Sequence, residues 1–236
     1  MNNTYRLIWN ELANTWVAVA ENAKSRGKRS AGALLLTAVA SVAMAQTVST
    51  QQLPTGGQIV SGSGAISAQG AAMTVNQNTA RMITNWSSFN IGANASVNFV
   101  QPSASAVALN RIQSQDPTQI MGRLTANGQV MLVNPAGVVF GRGSQVDVGS
   151  LVASSLAISD ANFLNGNYRF AANSLNTLGA VVNQGRITTA NVGAVAFLAP
   201  VVKNEGQITT PKGSTLLAAA QDITVDFTGD GLISYR

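Results

Sequence analysis

The sequence predicts an all-β fold, a right-handed parallel β-helix, on the strength of three observations. Short apolar runs rich in β-branched residues recur throughout the chain after Gln46. A nine-residue pattern occurs twice, 21 residues apart, as VVNQGRITT at 181–189 and VKNEGQITT at 202–210. Asn and Gly separate the runs, and both residue types tolerate the left-handed backbone of tight corners. A strand-forming repeat of about 20 residues without helices is typical of a β-solenoid.

Composition excludes several kinds of active site. The 236 residues are 46% hydrophobic and 10% charged, and they include neither Cys nor His. Thiol nucleophiles, histidine bases and zinc sites built on nitrogen or sulfur ligands are therefore excluded. We expect no enzyme activity, no cofactor and no metal. A carboxylate site of the polysaccharide-lyase kind is the weaker alternative, because the acidic residues are dispersed apart from Asp222, Asp226 and Asp230.

The net charge of +5 is concentrated at the N-terminus. Residues 1–45 contain five basic and two acidic residues, which leaves nine basic and seven acidic residues in the remaining chain. Because those later charges are scattered singly, we expect no nucleic-acid partner.

Residues 1–45 have the organisation of a long secretory signal peptide. The basic cluster ends at Arg29, and 30–45 contain the apolar run AGALLLTAVASVA, whose last residue starts Ala43-Met44-Ala45. That run is too short to span a bilayer, and a small-x-small site follows it, so we expect cleavage between Ala45 and Gln46. The predicted domains are thus the signal peptide, 1–45, and a β-helix domain, 46–236.

The first 29 residues extend the signal peptide beyond its usual length. Their apolar residues fall at spacings that give one face of a helix, from Tyr5 to Val17. We therefore expect this segment to be helical or disordered.

The stretch QVMLVNPAGVVFGRG, residues 129–143, predicts a strand, a corner and a second strand. Asn134, Pro135 and Gly137 occupy the first, second and fourth positions of a type I turn, where their residue types are favoured. Neither flanking run alternates polar with apolar residues. Both faces of these strands are therefore covered, or the strands corner around a core.

At a rise of about 4.8 Å per coil, we expect roughly seven to nine coils. The side chains predicted to stack inside them are Val130, Leu132, Val138, Phe140, Val195, Phe197 and Leu217.

The segment DANFLNGNYRF, residues 160–170, departs from this rhythm. Asn165-Gly166 lies between aromatic-bearing runs, which predicts an antiparallel hairpin that leaves the rod. Such a hairpin would cover a flank of the core or, alternatively, form a contact surface for a partner.

Two parts of the chain together resemble one family. The start of the signal peptide, from Tyr5 to Lys28, is similar to the extended signal peptides of large secreted Gram-negative proteins. From about Gln52 to Asp226 the chain resembles the N-terminal two-partner secretion domain of filamentous haemagglutinin, also called the haemagglutination activity domain. The segments that carry this second resemblance are 86–92, 97–99, 101–102, 106–112, 120–122, 124–130, 134–141 and 149–154.

The resemblance implies a secreted or surface-exposed protein with an N-terminal cap on its β-helix. The implied partners are the inner-membrane export machinery, signal peptidase and an outer-membrane transporter with periplasmic POTRA domains. The domain would target secretion and nucleate the fold of an adhesin, haemolysin or toxin. A self-standing adhesin that binds a host-cell surface is the alternative.

Six residues are candidates for transporter recognition or folding: Asn110, Arg111, Asn134, Pro135, Ala136 and Gly137. Ala136 departs from the family's usual Asn-Pro-Asn-Gly, so any contact made by that asparagine would be lost here. Arg111 lies in an apolar strand, where its guanidinium requires a partner. Its role is either to order a corner carbonyl or to contact the transporter.

We predict that the secreted protein begins at Gln46, because Ala43 and Ala45 form the well-placed small-x-small site after the apolar run. N-terminal sequencing of material from culture supernatant checks this, and a start at any other residue would contradict it.

Overall fold

A computed structural model of the protein describes residues 5–10, 15–20, 48–172, 179–225 and 234–235. The chain divides into two compact units, Met1–Met44 and Ala45–Arg236. The predicted cleavage residues Ala43, Ala45 and Gln46 lie outside the described residues, so the domain boundary remains a prediction.

The described part of the first unit is a pair of antiparallel strands. Strand β1, Tyr5–Asn10, pairs with β2, Thr15–Ala20, in a register that sets Trp9 opposite Trp16. The expectation of a helix or disorder is wrong for these residues. Their sequences, YRLIWN and TWVAVA, are rich in aromatic and β-branched residues, which favour strands, whereas isolated helices of this length are marginal.

The described part of the second unit consists of short strands and one helix. The strands before the helix are β3 Gln58–Ser61, β4 Gly64–Gln69, β5 Ala72–Gln77, β6 Arg81–Trp86, β7 Ser96–Val100, β8 Val107–Ile112, β9 Thr118–Ile120, β10 Arg123–Ala126, β11 Gln129–Val133, β12 Gly137–Phe140, β13 Gln145–Val148 and β14 Ser150–Ser154. Helix α1, Asp160–Leu164, is followed by β15 Arg169–Ala171, β16 Ala180–Asn183, β17 Arg186–Thr189, β18 Ala194–Ala199, β19 Val201–Asn204, β20 Gln207–Thr209, β21 Ser214–Ala219, β22 Asp222–Thr224 and β23 Ser234–Tyr235.

These strands wind into a parallel solenoid with three sheets, which confirms the predicted β-helix. Sheet I has the order β20-β17-β13-β10-β7-β5-β4, sheet II the order β21-β18-β14-β11-β8-β6-β3, and sheet III the order β19-β16-β12-β9. The chain visits sheets I, II and III in turn, so that β10, β11 and β12 make one coil. There are about six turns, fewer than expected, because β3 and β4 join the sheets as antiparallel strands and 156–172 leave the rod.

The 21-residue repeat predicts the register of the last coils correctly. Asn183 pairs with Asn204, and Ile187 pairs with Ile208. Equivalent residues of the repeat therefore stack directly on one another.

Antiparallel strands cap the N-terminal end of the rod. β3 pairs antiparallel with β6, and β4 pairs antiparallel with β5, so both sheets change direction at this end. The predicted N-terminal cap is thus present.

The rod interior is a continuous apolar core. The predicted interior residues Val130, Leu132, Val138, Phe140, Val195 and Phe197 are all buried, and Phe140 stacks on Phe197 with ring centroids 5.8 Å apart. Leu217 is an exception, with 44% of its surface exposed, because it lies in the last coil, where no described coil follows.

A second core covers the outer face of sheet II. Met131 and Val133 of β11 point away from the rod interior and pack in a cluster that includes Phe163 and Phe170. This cover explains the missing alternation in QVMLV, because both faces of β11 are buried.

The segment 160–170, which packs on the outer face of sheet II, contains a short helix instead of the predicted hairpin. The prediction of a hairpin turn at Asn165-Gly166 is therefore wrong. Ser159 caps α1 by accepting a hydrogen bond from the Asn162 N–H (3.2 Å), and Asn165 and Gly166 end the helix, with Gly166 at φ +74°. Asn and Gly readily adopt the left-handed backbone conformation, which occurs both in hairpin turns and at the C-terminal ends of helices. The antiparallel excursion itself exists, because β15 pairs antiparallel with β22.

No apolar helix of membrane-spanning length occurs in the described ranges.

Candidate functional site

The Asn134 corner has the predicted turn chemistry. The Gly137 N–H donates to the Asn134 carbonyl (2.8 Å), which closes the turn between β11 and β12. The Asn134 Oδ1 accepts a hydrogen bond from the Ala136 N–H (2.9 Å). Asn134 itself is fully buried. The corner is thus held by both the main chain and one asparagine side chain.

Asn134 also connects its coil to the coils on either side. Its Nδ2 donates to the Asp116 carbonyl and to the Thr118 Oγ1, both at 3.0 Å, in the preceding coil. Its backbone N–H donates to the Ser154 carbonyl (2.9 Å) in the following coil. One residue therefore ties three consecutive coils together, and buried polar groups that would otherwise be unpaired are satisfied.

The other corner residues differ in how much change they tolerate. Gly137 has φ +109°, and a Cβ there would lie 2.5 Å from the Ala180 carbonyl oxygen of the next coil. Any larger residue at 137 is therefore excluded by both backbone conformation and space. Pro135 and Ala136 are half-exposed, so a larger side chain at 136 can extend towards solvent.

Asn110 lies inside the rod. Its Oδ1 accepts a hydrogen bond from the Trp86 Nε1 (2.9 Å), and its Nδ2 donates to the Met131 carbonyl (3.3 Å). These bonds connect β6, β8 and β11. Asn110 is fully buried, so it provides the polar partner that a buried indole requires.

Arg111 points the other way, to the outer face of sheet II. Its Nη2 forms an ion pair with the Asp160 Oδ1 (2.6 Å) and donates to the Ile158 carbonyl (3.1 Å). Its Nη1 donates to the Asn85 Oδ1 at 3.4 Å. Arg111 thus clamps the start of α1 onto the rod, and its side chain is 26% exposed.

The predicted residues are neighbours in space but face different environments. Arg111 is the register partner of Val133, so it lies one coil away from the Asn134 corner. The Asn110 and Asn134 side chains are interior, whereas Arg111, Pro135 and Ala136 reach the surface. In the folded domain, a partner can touch only the second group.

Several residues that build this region were not predicted from the sequence. Gln101 donates through Nε2 to the Gln77 Oε1 (3.0 Å) and the Ala106 carbonyl (3.0 Å), and its Oε1 accepts from the Gly128 N–H (3.0 Å). This network satisfies the corner between sheets I and II. In the sequence, Gln101 follows Val97 and Phe99 at alternate positions, so strand alternation predicts that it lies on their buried face. Asp160 was missed because its segment was interpreted as a hairpin.

Three of the described carboxylates form ion pairs, and one of them is Asp160 with Arg111. Asp147 pairs with Arg123 (3.1 Å), and Asp222 pairs with Arg169 (2.6 Å). The hydrogen bond and charge of Asp222 raise the pKa of Arg169. No group of three metal-binding side chains occurs among the described residues, and Asp226 and Asp230 lie outside them.

Comparison with known proteins identifies relatives over most of the chain. A family model described as "TPS secretion domain" matches residues 12–234. A heme/hemopexin-binding protein of Haemophilus influenzae is 36% identical over 184 residues, which cover 75% of this chain but 20% of that protein. A second H. influenzae protein of the same name is 38% identical over 98 residues, 42% of this chain and 11% of that protein.

The fold also matches a solved structure. The crystal structure of the HMW1 secretion domain from Haemophilus influenzae superposes with a TM-score of 0.74 at 33% identity, covering 77% of this chain and 49% of that one. The chain therefore spans about half of that domain and about a fifth or less of the two longer relatives.

We predict that Asn134→Ala lowers the free energy of unfolding by about 3 kcal/mol, since three side-chain hydrogen bonds are lost at about 1 kcal/mol each. The matched control is Ala136→Asn at the half-exposed neighbouring position, where we expect a change within about 0.5 kcal/mol. Chemical denaturation of the purified full chain measures both. Equal stability of the Asn134 variant and the wild type would contradict the stabilising role of the Asn134 side-chain hydrogen bonds.

Proposed function

The chain belongs to the family of TPS secretion domains, and from this premise we propose that it targets an exoprotein for two-partner secretion and nucleates that exoprotein's fold. Exoproteins of this family are exported across the outer membrane to the cell surface or the extracellular space. The observation that carries the proposal is the family match over most of the chain, together with the solenoid shared with a solved secretion domain.

The two ends of the rod support a nucleating role. Antiparallel strands cap the N-terminal end. At the other end, β19, β20 and β21 are edge strands among the described residues, and the half-exposed Leu217 belongs to the last of them. An edge strand offers unpaired N–H and C=O groups on which another strand can form. Coils added at this end would avoid the cost of starting a new stack.

The partner that we propose is an outer-membrane transporter whose periplasmic POTRA domains bind the chain before it folds. Asn110 and Asn134 are fully buried in the folded domain. Direct contact between their side chains and a transporter would therefore require the unfolded chain. We propose that both residues act in folding, at or after exit from the transporter, rather than as a recognition surface.

Upstream of the transporter, we propose that the inner-membrane export machinery recognises residues 1–45 and that signal peptidase cleaves after Ala45. The basic cluster, the apolar run and the small-x-small site support this step.

A self-standing surface-binding module is the second candidate function, and a groove lined by Gln145, Arg186 and Gln207 favours it. Asp147, Asp160 and Asp222, three of the described carboxylates, are engaged in ion pairs, which argues against a catalytic role for them. Binding of heme or hemopexin belongs to relatives of which this chain covers a fifth or less, and it is not proposed for the domain.

Co-expression of the full chain with its partner transporter tests the secretion role. We expect the wild type and Ala136→Asn in the culture supernatant, and several-fold less of Asn134→Ala, because the corner that ties three coils is weakened. Immunoblots of supernatant and cell fractions provide the measurement. Secretion in cells that lack any transporter would refute the two-partner proposal, whereas normal export of Asn134→Ala would refute only the role of the corner.

Exchange of the charges in the Arg111–Asp160 pair separates a structural role from transporter contact. We expect Arg111→Glu to reduce both stability and secretion, because a carboxylate would then face Asp160 and the Ile158 carbonyl. Addition of Asp160→Arg restores an ion pair with reversed polarity and should recover part of both properties, because the carboxylate at 111 still faces the Ile158 carbonyl. Asp160→Arg alone is the control. A double variant that is as stable as the wild type but is not secreted would instead place Arg111 in contact with the transporter.

A further inference from the structure

A polar groove of about 350 Å³ runs across the last three coils, at the corner where the chain passes from sheet III to sheet I. Its walls carry Gln145, Gln184, Arg186 and Gln207, and its floor includes Gly185 and Gly206. The groove thus lies on the repeated corners Asn183-Gln-Gly-Arg186 and Asn204-Glu-Gly-Gln207, away from the Asn134 corner and the Arg111–Asp160 ion pair.

One wall repeats with the coils. Gln145, Arg186 and Gln207 occupy the first positions of β13, β17 and β20 and are register partners. Neighbouring side chains in this wall are therefore about 4.8 Å apart along the rod axis. A ligand that contacts all three must be extended and must itself carry polar groups at regular intervals.

The floor lacks side chains for a structural reason. A Cβ on Gly206 would clash with the carbonyl oxygen of Gly185, and a Cβ on Gly185 would clash with the hydroxyl of Ser144. Close stacking of the coils therefore requires glycine at both corners. The same requirement leaves the groove open to a ligand.

Arg186 is the central feature of the wall. It is exposed, and its guanidinium has no hydrogen bond or ion pair with any residue that the structure describes. Arg111, Arg123 and Arg169, by contrast, each pair with an aspartate. A free guanidinium presents a planar fork of donors that matches a carboxylate in two parallel hydrogen bonds.

The residues around Arg186 suit hydroxyl groups. Gln145 and Gln207 each offer one acceptor and two donors, and neither side chain has a partner within the described ranges. Across the groove, Gln184 donates to the Glu205 Oε2 (2.9 Å), which orients both side chains. No aromatic side chain lines the groove, which argues against nucleic acid, because single strands are held largely by base stacking.

We propose that this groove binds an acidic oligosaccharide, with a sugar carboxylate on Arg186 and sugar hydroxyls on Gln145 and Gln207. The chain lies along the rod axis and spans three coils. This binding is separate from transporter recognition and goes beyond the proposed secretion function.

Calorimetric titration of the purified full chain with a hyaluronan tetrasaccharide tests the proposal, because this probe carries carboxylates and no sulfate. Chitotetraose is the neutral comparison. We expect the hyaluronan tetrasaccharide to bind more tightly than chitotetraose, and added salt to weaken its binding. Arg186→Gln should weaken its binding by at least about tenfold, since a charge-assisted hydrogen-bond pair is lost.

Arg123→Gln is the matched control, because Arg123 lies in the same column of sheet I, two strands away, and is already paired with Asp147. Its affinity for the tetrasaccharide should equal that of the wild type, and far-UV spectra should show both variants folded. Absence of binding, equal binding of chitotetraose, or an equal loss in Arg123→Gln would each overturn the proposal. The titration contains no transporter, so none of these outcomes bears on the secretion proposal.

Discussion

The parallel hydrogen-bond ladder between successive coils is the constraint on which the rest of the structure depends. Each interior rod strand finds its main-chain partners only in the coils before and after it, as β11 does in β8 and β14. Leu132, for example, pairs with Asn110 and Ala153, which are 22 and 21 residues away. Every coil must therefore reproduce the cross-section of its neighbours. The glycines at 185 and 206 follow from this rule, because the corners stack too closely for a Cβ.

Buried polar side chains are the second consequence of the ladder. At each corner the chain leaves one sheet and enters the next, so some backbone groups lose their ladder partners and need others. Asn134 provides them between β11 and β12. Asn183 does the same between β16 and β17: its Oδ1 accepts from the Gly185 N–H (3.1 Å) and its Nδ2 donates to the Asn204 Oδ1 (2.8 Å). Polar residues in this apolar rod are thus part of its framework, and their burial removes them from any recognition surface of the folded domain.

The same distinction explains what could be predicted from the sequence. The register at 181–210 was predictable because two copies of one repeat align residue by residue. The Asn134 turn was predictable because it depends only on the residue types within the turn. Residues 160–170 were not, since Asn165-Gly166 is compatible with a hairpin turn and with the end of a helix. The choice depends on the Ser159 cap and on an apolar face of sheet II formed by distant strands. Arg111 could be predicted to need a partner, but its partner Asp160 lies 49 residues away and carries no local signal.

The domain contains contacts between residues that are close in sequence and contacts between residues that are much farther apart, and the two kinds can form at different stages of folding. Coil contacts join residues about 21 positions apart, so each new coil needs only the next short stretch of chain to be available. The cover over sheet II needs much more, because β15 pairs with β22 and Arg169 with Asp222, 53 residues away. The rod can consequently grow while later residues are still confined elsewhere, whereas the second core cannot close until Ile223 and Val225 are free to pack. A chain that becomes available progressively from its N-terminus suits this order of events.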